Sequence, residues 1–518
     1  MGEPQYLNYP PLPLAQSVFT LVSPYASAES KQTSLTTLQD GIREHKMAPL
    51  YAYLAHPQTG KLNPSGEGTA SAVLSPVLSR QSTTNALGTR PSPELLLRRT
   101  SSINAPSIVG VLGGKTDSSV GLPWDEKLYE ELKADNEKEL EAIQKEEDQA
   151  VEIEGETEIQ NAQGKRAELY ARIGDKDKAL EEFEKLFDKT SILGSKIDIV
   201  LAIIRIALFF DDKLLVKKNV DRASMLVESG GDWDRRNRLK AYQGIHLLTI
   251  RAHNLAAPLL LDSLSTFTST ELCPYSSLVV YATLAGSVSL RRGDFKSKVV
   301  DAPEIRAVFG SEAGSDRLAA LSGGASSGAG AADVNDQEMA DSTATPKPTA
   351  VNLTTLASGS ADAEAQAKAE PQIDFRPLAA MIQSLYTGTY STFFTALAKV
   401  ETDFLAADRY LFEHKNWFVR EMRLRAYSQL LQSYKIVSLS SMADSFGVSV
   451  DWLDKDLAPF IAGKRLACSI DRVRGVIETQ RSDGKERQYA DVVQKGDQLI
   501  TKLQKYGQVV RLRGSERG

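Results

Sequence analysis

Apolar and polar positions along this chain follow two different periods, and the change between them inside Arg420–Gln480 organises everything else. From Arg420 to Ser433 the residues Met422, Leu424, Tyr427, Leu430, Leu431 and Tyr434 recur at about 3.6-residue spacing with charges between them, which predicts an amphipathic helix. A serine cluster (Ser438, Ser440, Ser441) supplies N-cap candidates, with Ser441 three residues before Asp444. A short helix then runs from Met442 to Phe446 and stops at Gly447, the residue best suited to positive φ. A second helix starts near Ser449, with Trp452, Leu453, Leu457, Phe460 and Ile461 as its buried face. Past Gly463 the period becomes two. Leu466, Cys468 and Ile470 alternate with Arg465, Ala467 and Ser469, and Val473, Val476 and Ile477 follow a polar turn at Asp471-Arg472. That pattern predicts a β-hairpin. Helix, short helix, turn, helix and hairpin make a winged helix.

The remaining pattern is almost wholly helical. Leu14 to Leu54 carries weak helical spacing after a proline-rich, extended Met1–Pro13. Trp124 to Gln163 is charged, with only Leu128, Leu132, Leu140 and Ile143 as a sustained apolar line, and reads as one long solvated helix packed along a narrow face. Ala167 to Phe187 holds a helix, a Gly174-Asp175 turn and a second helix with small residues near its start, the pattern of tetratricopeptide-type pairs. Ile197 to Phe210 is apolar on most sides and predicts a buried helix. Val220–Val227, Leu239–Arg251, Leu255–Leu264 and Leu278–Leu290 continue the array, which ends at a second Gly-Asp turn, Arg292-Gly293-Asp294. The spacings are irregular, so a degenerate solenoid is expected. Order resumes at Phe375, and a turn at Gly388 precedes a helix through Phe393 and Phe404. Tyr489, Val492, Val493, Leu499, Ile500, Leu503, Tyr506 and Val510 form a last helical stripe, which needs a surface to bury it.

Two stretches break this pattern. From about Gln58 to Gly121, and again from about Ser311 to Pro371, the chain turns to Ser, Thr, Gly, Ala and Pro without period, the composition of disordered insertions. The domain plan is a helical segment at 1–57 and an insertion at 58–121. A charged helix with repeats follows at 122–255. A domain at 256–480 is interrupted at 311–371 and contains the winged helix at 420–480, and a terminal helix occupies 481–518. The fold class is mostly α: a TPR-like helical-repeat solenoid, a winged-helix subdomain and a C-terminal amphipathic helix.

Composition narrows the chemistry. At 518 residues with a net charge of −6, the chain can bury a sizeable core and exerts no global pull on nucleic acid or anionic membrane. Two cysteines, Cys273 and Cys468, exclude a disulfide framework and a cysteine-rich zinc site. No segment reads as a membrane span or a signal peptide, which points to a soluble protein of a reducing compartment. Gly110–Thr116 resembles a phosphate-binding loop but lacks its first glycine and any following helix. Arg98-Arg99-Thr100-Ser101 suits a basophilic kinase and makes Ser101 a candidate phosphosite. The five histidines form no metal-ligand spacing, and His246 and His253 read as core or surface residues. No catalytic, cofactor or metal constellation stands out. A DNA-reading helix should be basic, yet Asp451, Asp454 and Asp456 crowd the second winged-helix helix against Lys455, so a protein-docking wing is the preferred reading.

Several runs carry a resemblance: Glu44–Pro49 (EHKMAP), Ala167–Ala179 (AELYARIGDKDKA), Gly230–Gly244 (GGDWDRRNRLKAYQG), Leu264–Ser269, Val419–Tyr434 and the Met442–Thr479 wing. Together the chain resembles the PCI-domain lid subunits of the 26S proteasome, specifically the Rpn seven family, over nearly all its ordered length. The Asp232–Arg238 run is highly specific, and the resemblance departs at the two insertions. What it implies is a non-catalytic scaffold of the regulatory-particle lid, in cytoplasm and nucleus, without cofactor, serving ubiquitin-dependent degradation. Its expected partners are other PCI-containing lid subunits, the lid helical bundle and the proteasomal base ATPases, with no nucleic acid and no membrane. In the wing, Leu466, Cys468, Ile470, Val476 and Ile477 are candidate interface positions by β-augmentation. Val492, Val493, Leu499, Ile500 and Leu503 are the candidates in the terminal helix. An intramolecular core is open for each. The alternatives are subunit one of the COP9 signalosome, an initiation-factor scaffold, or an enzyme whose site is assembled from distant residues.

Overall fold

The computed structural model describes residues 5–57, 60–62, 108, 121–153, 155–309, 374–479 and 484–515. The two expected insertions fall almost entirely outside the described residues, as do Gly110–Thr116 and Ser101. The chain divides into two compact units, Met1–Ile382 with Ala407–Tyr410, and Gln383–Ala406 with Leu411–Gly518.

The first unit is built of helices. Its N-terminal part holds α1 (Leu12–Val22), α2 (Ala28–Glu44) and α3 (Ala48–Ala55). The expected single charged helix is two helices, α4 (Glu126–Glu152) and α5 (Glu156–Ile173), with Gly155 as the N-cap of the second. The pairings Glu139–Arg172, Glu147–Arg166 and Glu146–Lys165 run in opposite directions along the two helices, so α4 folds back antiparallel on α5. Charge that local pattern assigns to solvent is therefore used between helices.

The array continues through α6 (Lys176–Lys189), α7 (Leu193–Phe209), α8 (Lys213–Gly230), α9 (Trp233–Thr249), α10 (His253–Ser263) and α11 (Tyr275–Ser289). Gly174 takes φ +81° at the end of α5, and Asp175 caps α6 by accepting from the Lys178 amide, so the anticipated Gly-Asp turn is present. The second such turn is absent. Gly293 instead lies inside a short helix, α12 (Arg292–Phe295), which runs into a π-helical stretch, Lys296–Val300. α7 is buried from Ile197 to Phe209, because α6, α8, α9 and α1 all pack on it. Ala167, Ala171, Ala179, Phe183, Leu186, Ile199 and Ile203 form a continuous core there, the small residues letting the helix axes approach.

The second unit centres on the winged helix. It holds α14 (Tyr390–Val400), α15 (Lys415–Leu431), β1 (Ile436–Ser438), α16 (Leu439–Phe446), α17 (Val450–Ala462), β2 (Cys468–Asp471), β3 (Val476–Thr479) and α18 (Gly484–Ser515). Before α14 comes α13 (Arg376–Thr387), which ends at Gly388 with φ +87°. Phe446 stacks on Tyr390 at 4.6 Å and meets Phe394 and Tyr427 at 5.0 Å each, forming an aromatic core. Three details differ from the sequence expectation. α16 starts at Leu439, because Ser438 rather than Ser441 is its N-cap and accepts from the Ser441 amide. The helix placed at Arg420–Ser433 lies at Lys415–Leu431, and Tyr434 is exposed beyond its end. The hairpin is two strands of a three-stranded sheet of order β1-β3-β2, both pairings antiparallel.

Candidate assembly interface

The wing is assembled from a local hairpin and a distant strand. Asp471 Oδ1 accepts from the amides of Val473 and Arg474, closing the turn, and Gly475 takes φ +65° to return the chain into β3. β1 then adds to the far side of β3, pairing Ile436 with Glu478 and Ser438 with Val476. Backbone bonds from Thr479 to Lys435 and from Leu439 to Gly475 flank β1 and align it with β3. β3 is the central strand, so β1 and β2 each have an outer edge to which this sheet adds no strand.

The five wing candidates separate by burial. Leu466, Cys468 and Ile477 are buried, Ile477 completely, and they form part of the domain's own core. Ile470 and Val476 are half-buried. The period-two alternation therefore reports the inner face of this sheet, and what the wing offers outward is backbone edge together with Ile436 and the fully exposed Val473. Burial pushes the Cys468 and Cys273 thiols up from their ordinary range, which disfavours the nucleophilic thiolate.

α17 caps on Ser449, whose side chain accepts from the Trp452 amide, and it buries Leu453, Leu457 and Phe460. Trp452, expected on that face, is 40% exposed and lies edge-on to Phe394 with the Arg423 guanidinium 5.7 Å from its ring. Two of the three carboxylates of α17 have partners inside this unit. Asp456 takes a hydrogen bond from the Tyr427 hydroxyl at 2.8 Å and an ion pair from Arg423 at 3.0 Å, and Asp454 pairs with Arg472 of the wing at 2.8 Å. The acidity read as unsuited to DNA thus ties α17 to α15 and to the hairpin.

α18 is the other candidate surface. All five of its sequence-selected residues, Val492, Val493, Leu499, Ile500 and Leu503, are 56–69% exposed. Tyr489, Val492, Gly496, Leu499, Leu503, Tyr506 and Val510 recur at alternating steps of three and four, which is the seam of a coiled coil sustained for three heptads. Val493 and Ile500 flank that seam, and Gly496 and Gly507 have open space where a side chain would be.

Among the described residues no cluster of three or more histidine, cysteine or carboxylate side chains is placed to hold a metal ion, and no helix is long and apolar enough to cross a membrane. His246 and His253 are buried.

Three family models match successive parts of the chain. The model described as 26S proteasome subunit RPN7 matches residues 125–298, the PCI domain matches 397–481, and the RPN7/PSMD6 C-terminal helix matches 488–510. The last match coincides with the exposed heptad seam. Among curated proteins, the 26S proteasome regulatory subunit rpn7 of Schizosaccharomyces pombe is 35% identical over 97% of both chains. The chain belongs to this proteasome regulatory subunit family. The Saccharomyces cerevisiae member is 39% identical over 78% of this chain and 80% of its own, and the Dictyostelium discoideum 26S proteasome non-ATPase regulatory subunit 6 is 38% identical over 76% and 86%. COP9 signalosome complex subunit 1 of Arabidopsis thaliana matches far less, 26% over 23% of this chain. The Asp232–Arg238 run lies at the start of α9. There Arg235 donates two hydrogen bonds to Asp198, at 2.9 and 2.7 Å, and one to Asp232. Arg238 bridges Asp234 and Glu271 at 2.8 and 2.9 Å. Arg235 is a buried clamp from α9 to α7, and Arg238 ties α9 to the turn before α11, roles that the spacing alone does not reveal.

Proposed function

We propose that this chain is a non-catalytic scaffold subunit of the 26S proteasome regulatory-particle lid, supporting lid assembly and thereby ubiquitin-dependent degradation. The observation that carries this reading is the long, outward-facing heptad seam of α18 in a chain of this family. A two- to three-heptad apolar stripe left in water is costly, and a bundle with helices of other subunits removes it from water. The wing supplies the second contact: the outer edges of β1 and β2 can extend the sheet into a neighbouring PCI-containing subunit by backbone pairing. The base ATPases are the remaining expected neighbours, and cytoplasm and nucleus are the proposed compartments. The acidic helix α17 argues against nucleic acid as a partner.

The decisive experiment is affinity purification of the tagged chain from its own cells, followed by mass spectrometry, beside a version lacking residues 484–518. Recovery of lid subunits and base ATPases by the full chain, with a marked loss on truncation, is the expected result. Recovery of a signalosome or initiation-factor set would keep the architecture and overturn the assignment. The purified chain is also expected to leave ubiquitin chains intact, and cleavage that survives repurification would overturn the non-catalytic reading.

A further inference from the structure

The apolar seam of α18 has a hole in it. With Tyr489 as position a and Val492 as position d, the heptad places Gly496 at the second a position, where a coiled coil ordinarily carries a branched apolar side chain. Residues three and four apart on a helix are surface neighbours. Gly496 is therefore ringed by Val492 and Val493 on the turn before it and by Leu499 and Ile500 on the turn after. All four are 56–67% exposed, and nothing stands within 4 Å of where a Cβ on Gly496 would sit. Glycine is among the worst residues for a helix interior, yet here it lies near the middle of a 32-residue helix.

The two columns beside the seam are unlike. Position e carries Val493, Ile500 and Gly507, whereas position g carries Lys495 and Lys502 between Gln488 and Val509. Both lysines are exposed. The carboxylates between residues 488 and 511 are Asp491 and Asp497, and neither stands at e, the column that faces g in a parallel pair. A second copy of α18 is a poor match on both counts. In parallel register it sets Gly496 against Gly496, which leaves a void in the seam, and sets Lys495 and Lys502 against Ile500 and Gly507 of the other copy. In an antiparallel pair the two g columns face each other, and lysine meets lysine. A helix of different sequence removes both faults, with a large side chain for the hole and carboxylates for the lysines.

Resting on the assembly role proposed above, we propose that α18 is keyed to a helix of a different chain, one that seats a large apolar side chain (leucine, methionine or an aromatic) over Gly496 and carries carboxylates opposite Lys495 and Lys502. With no side chain at Gly496 the incoming helix approaches closely, and its knob sinks among Val492, Val493, Leu499 and Ile500. The glycine weakens the isolated helix and shapes the assembled one.

The test purifies the tagged full chain and its variants from their own cells and quantifies the recovered lid subunits by mass spectrometry. Gly496→Leu raises helix propensity and adds an apolar side chain to the seam, so an unspecific apolar stripe should assemble as well or better. A filled socket should instead cut recovery about tenfold, while Gln494→Leu, the same side chain at an outer f position, should leave it unchanged. Lys495→Glu/Lys502→Glu should lower recovery severalfold, and Lys505→Glu/Arg511→Glu, at the c and b positions, should not. Recovery unchanged by Gly496→Leu, or by Lys495→Glu/Lys502→Glu, overturns the proposal. Circular dichroism of each purified chain checks its fold. Where a variant does not fold, carbodiimide treatment of the unaltered assembly decides, since it joins lysines to carboxylates in contact. Lys495 and Lys502 should join to acidic residues of another chain, and joining only within their own chain, or none, overturns the proposal. A different set of subunits on the unaltered chain would overturn the lid assignment alone, because the same comparisons on that set still judge the socket and the lysines. A chain that recovers no subunits overturns both.

Discussion

Arg235 and Asp198 show how much a single buried ion pair can decide. Both are buried, and each is the other's main partner. Removing one leaves an uncompensated charge inside the array, so Asp198→Ala is expected to destabilise the first unit by about 3–5 kcal/mol, measured by chemical denaturation followed by circular dichroism. His246 makes an opposite case. It is buried in α9, neither ring nitrogen has a hydrogen-bond partner, and burial lowers its pKa to about 4 against the small upward pull of Asp221. Its folded value lies below the ordinary 6.5 of histidine, so its neutral burial contributes full stability above pH 6.5. That contribution is lost as the pH falls from 6.5 toward 4. His246→Leu should therefore lose less of its denaturation midpoint than the unaltered chain over that window, and parallel curves would refute this account. The Asp232–Arg238 run was legible as a signature. Its partners, Asp198 and Glu271, stand 37 and 33 residues away, beyond the reach of any local pattern.

Several helix ends follow the chain's local chemistry where a cap or a glycine sits at the boundary. Gly174, Gly388 and Gly447 all take positive φ, and Asp175, Ser438 and Ser449 all accept from an amide three residues on. At Gly447, φ +68° with Ser391 Cβ 3.4 Å from an added Cβ leaves room for alanine. Gly447→Ala is then expected to cost only the left-handed backbone term, about 1–2 kcal/mol. At Gly174 an added Cβ would stand 3.1 Å from Leu50 Cβ besides taking φ +81°, so Gly174→Ala should cost more than Gly447→Ala. Thermal denaturation of the two variants orders them. Other boundaries depend on tertiary contacts. α4 and α5 share one charged composition, and only Gly155 and the cross-helix ion pairs separate them. β1 is three residues long, and its strand character comes from pairing with β3, about forty residues later.

On the scale of the whole chain, the two candidate surfaces behave differently. Three of the five wing side chains are spent on their own domain, so an edge contact there depends on backbone groups and tolerates side-chain changes at Ile470 or Val476. The α18 seam depends on its side chains. Leu499→Asp/Leu503→Asp should raise the concentration at which the isolated chain stays monodisperse in light scattering, because an apolar stripe no longer meets its own kind. The same change should lower recovery of lid subunits in pull-downs roughly as strongly as deleting residues 484–518, since hot spots in a helical seam are its apolar knobs. A double variant that still assembles fully would place the contact elsewhere on the chain.

Some features of this protein follow from the order of residues alone. The helical array, the period-two wing, the terminal stripe and the family are of this kind, because each is written in a local period or an uninterrupted run. Three-dimensional packing alone decided the rest. It placed Leu466, Cys468 and Ile477 inward, gave two of α17's carboxylates partners on α15 and the wing, and split a charged helix into an antiparallel pair. It also laid Gln5–Tyr9 between Asp198 and Arg205, nearly two hundred residues away. The physical reason is common to all four. A period states which side of an element is apolar, whereas a hydrogen bond or ion pair between distant elements depends on which faces the fold brings together.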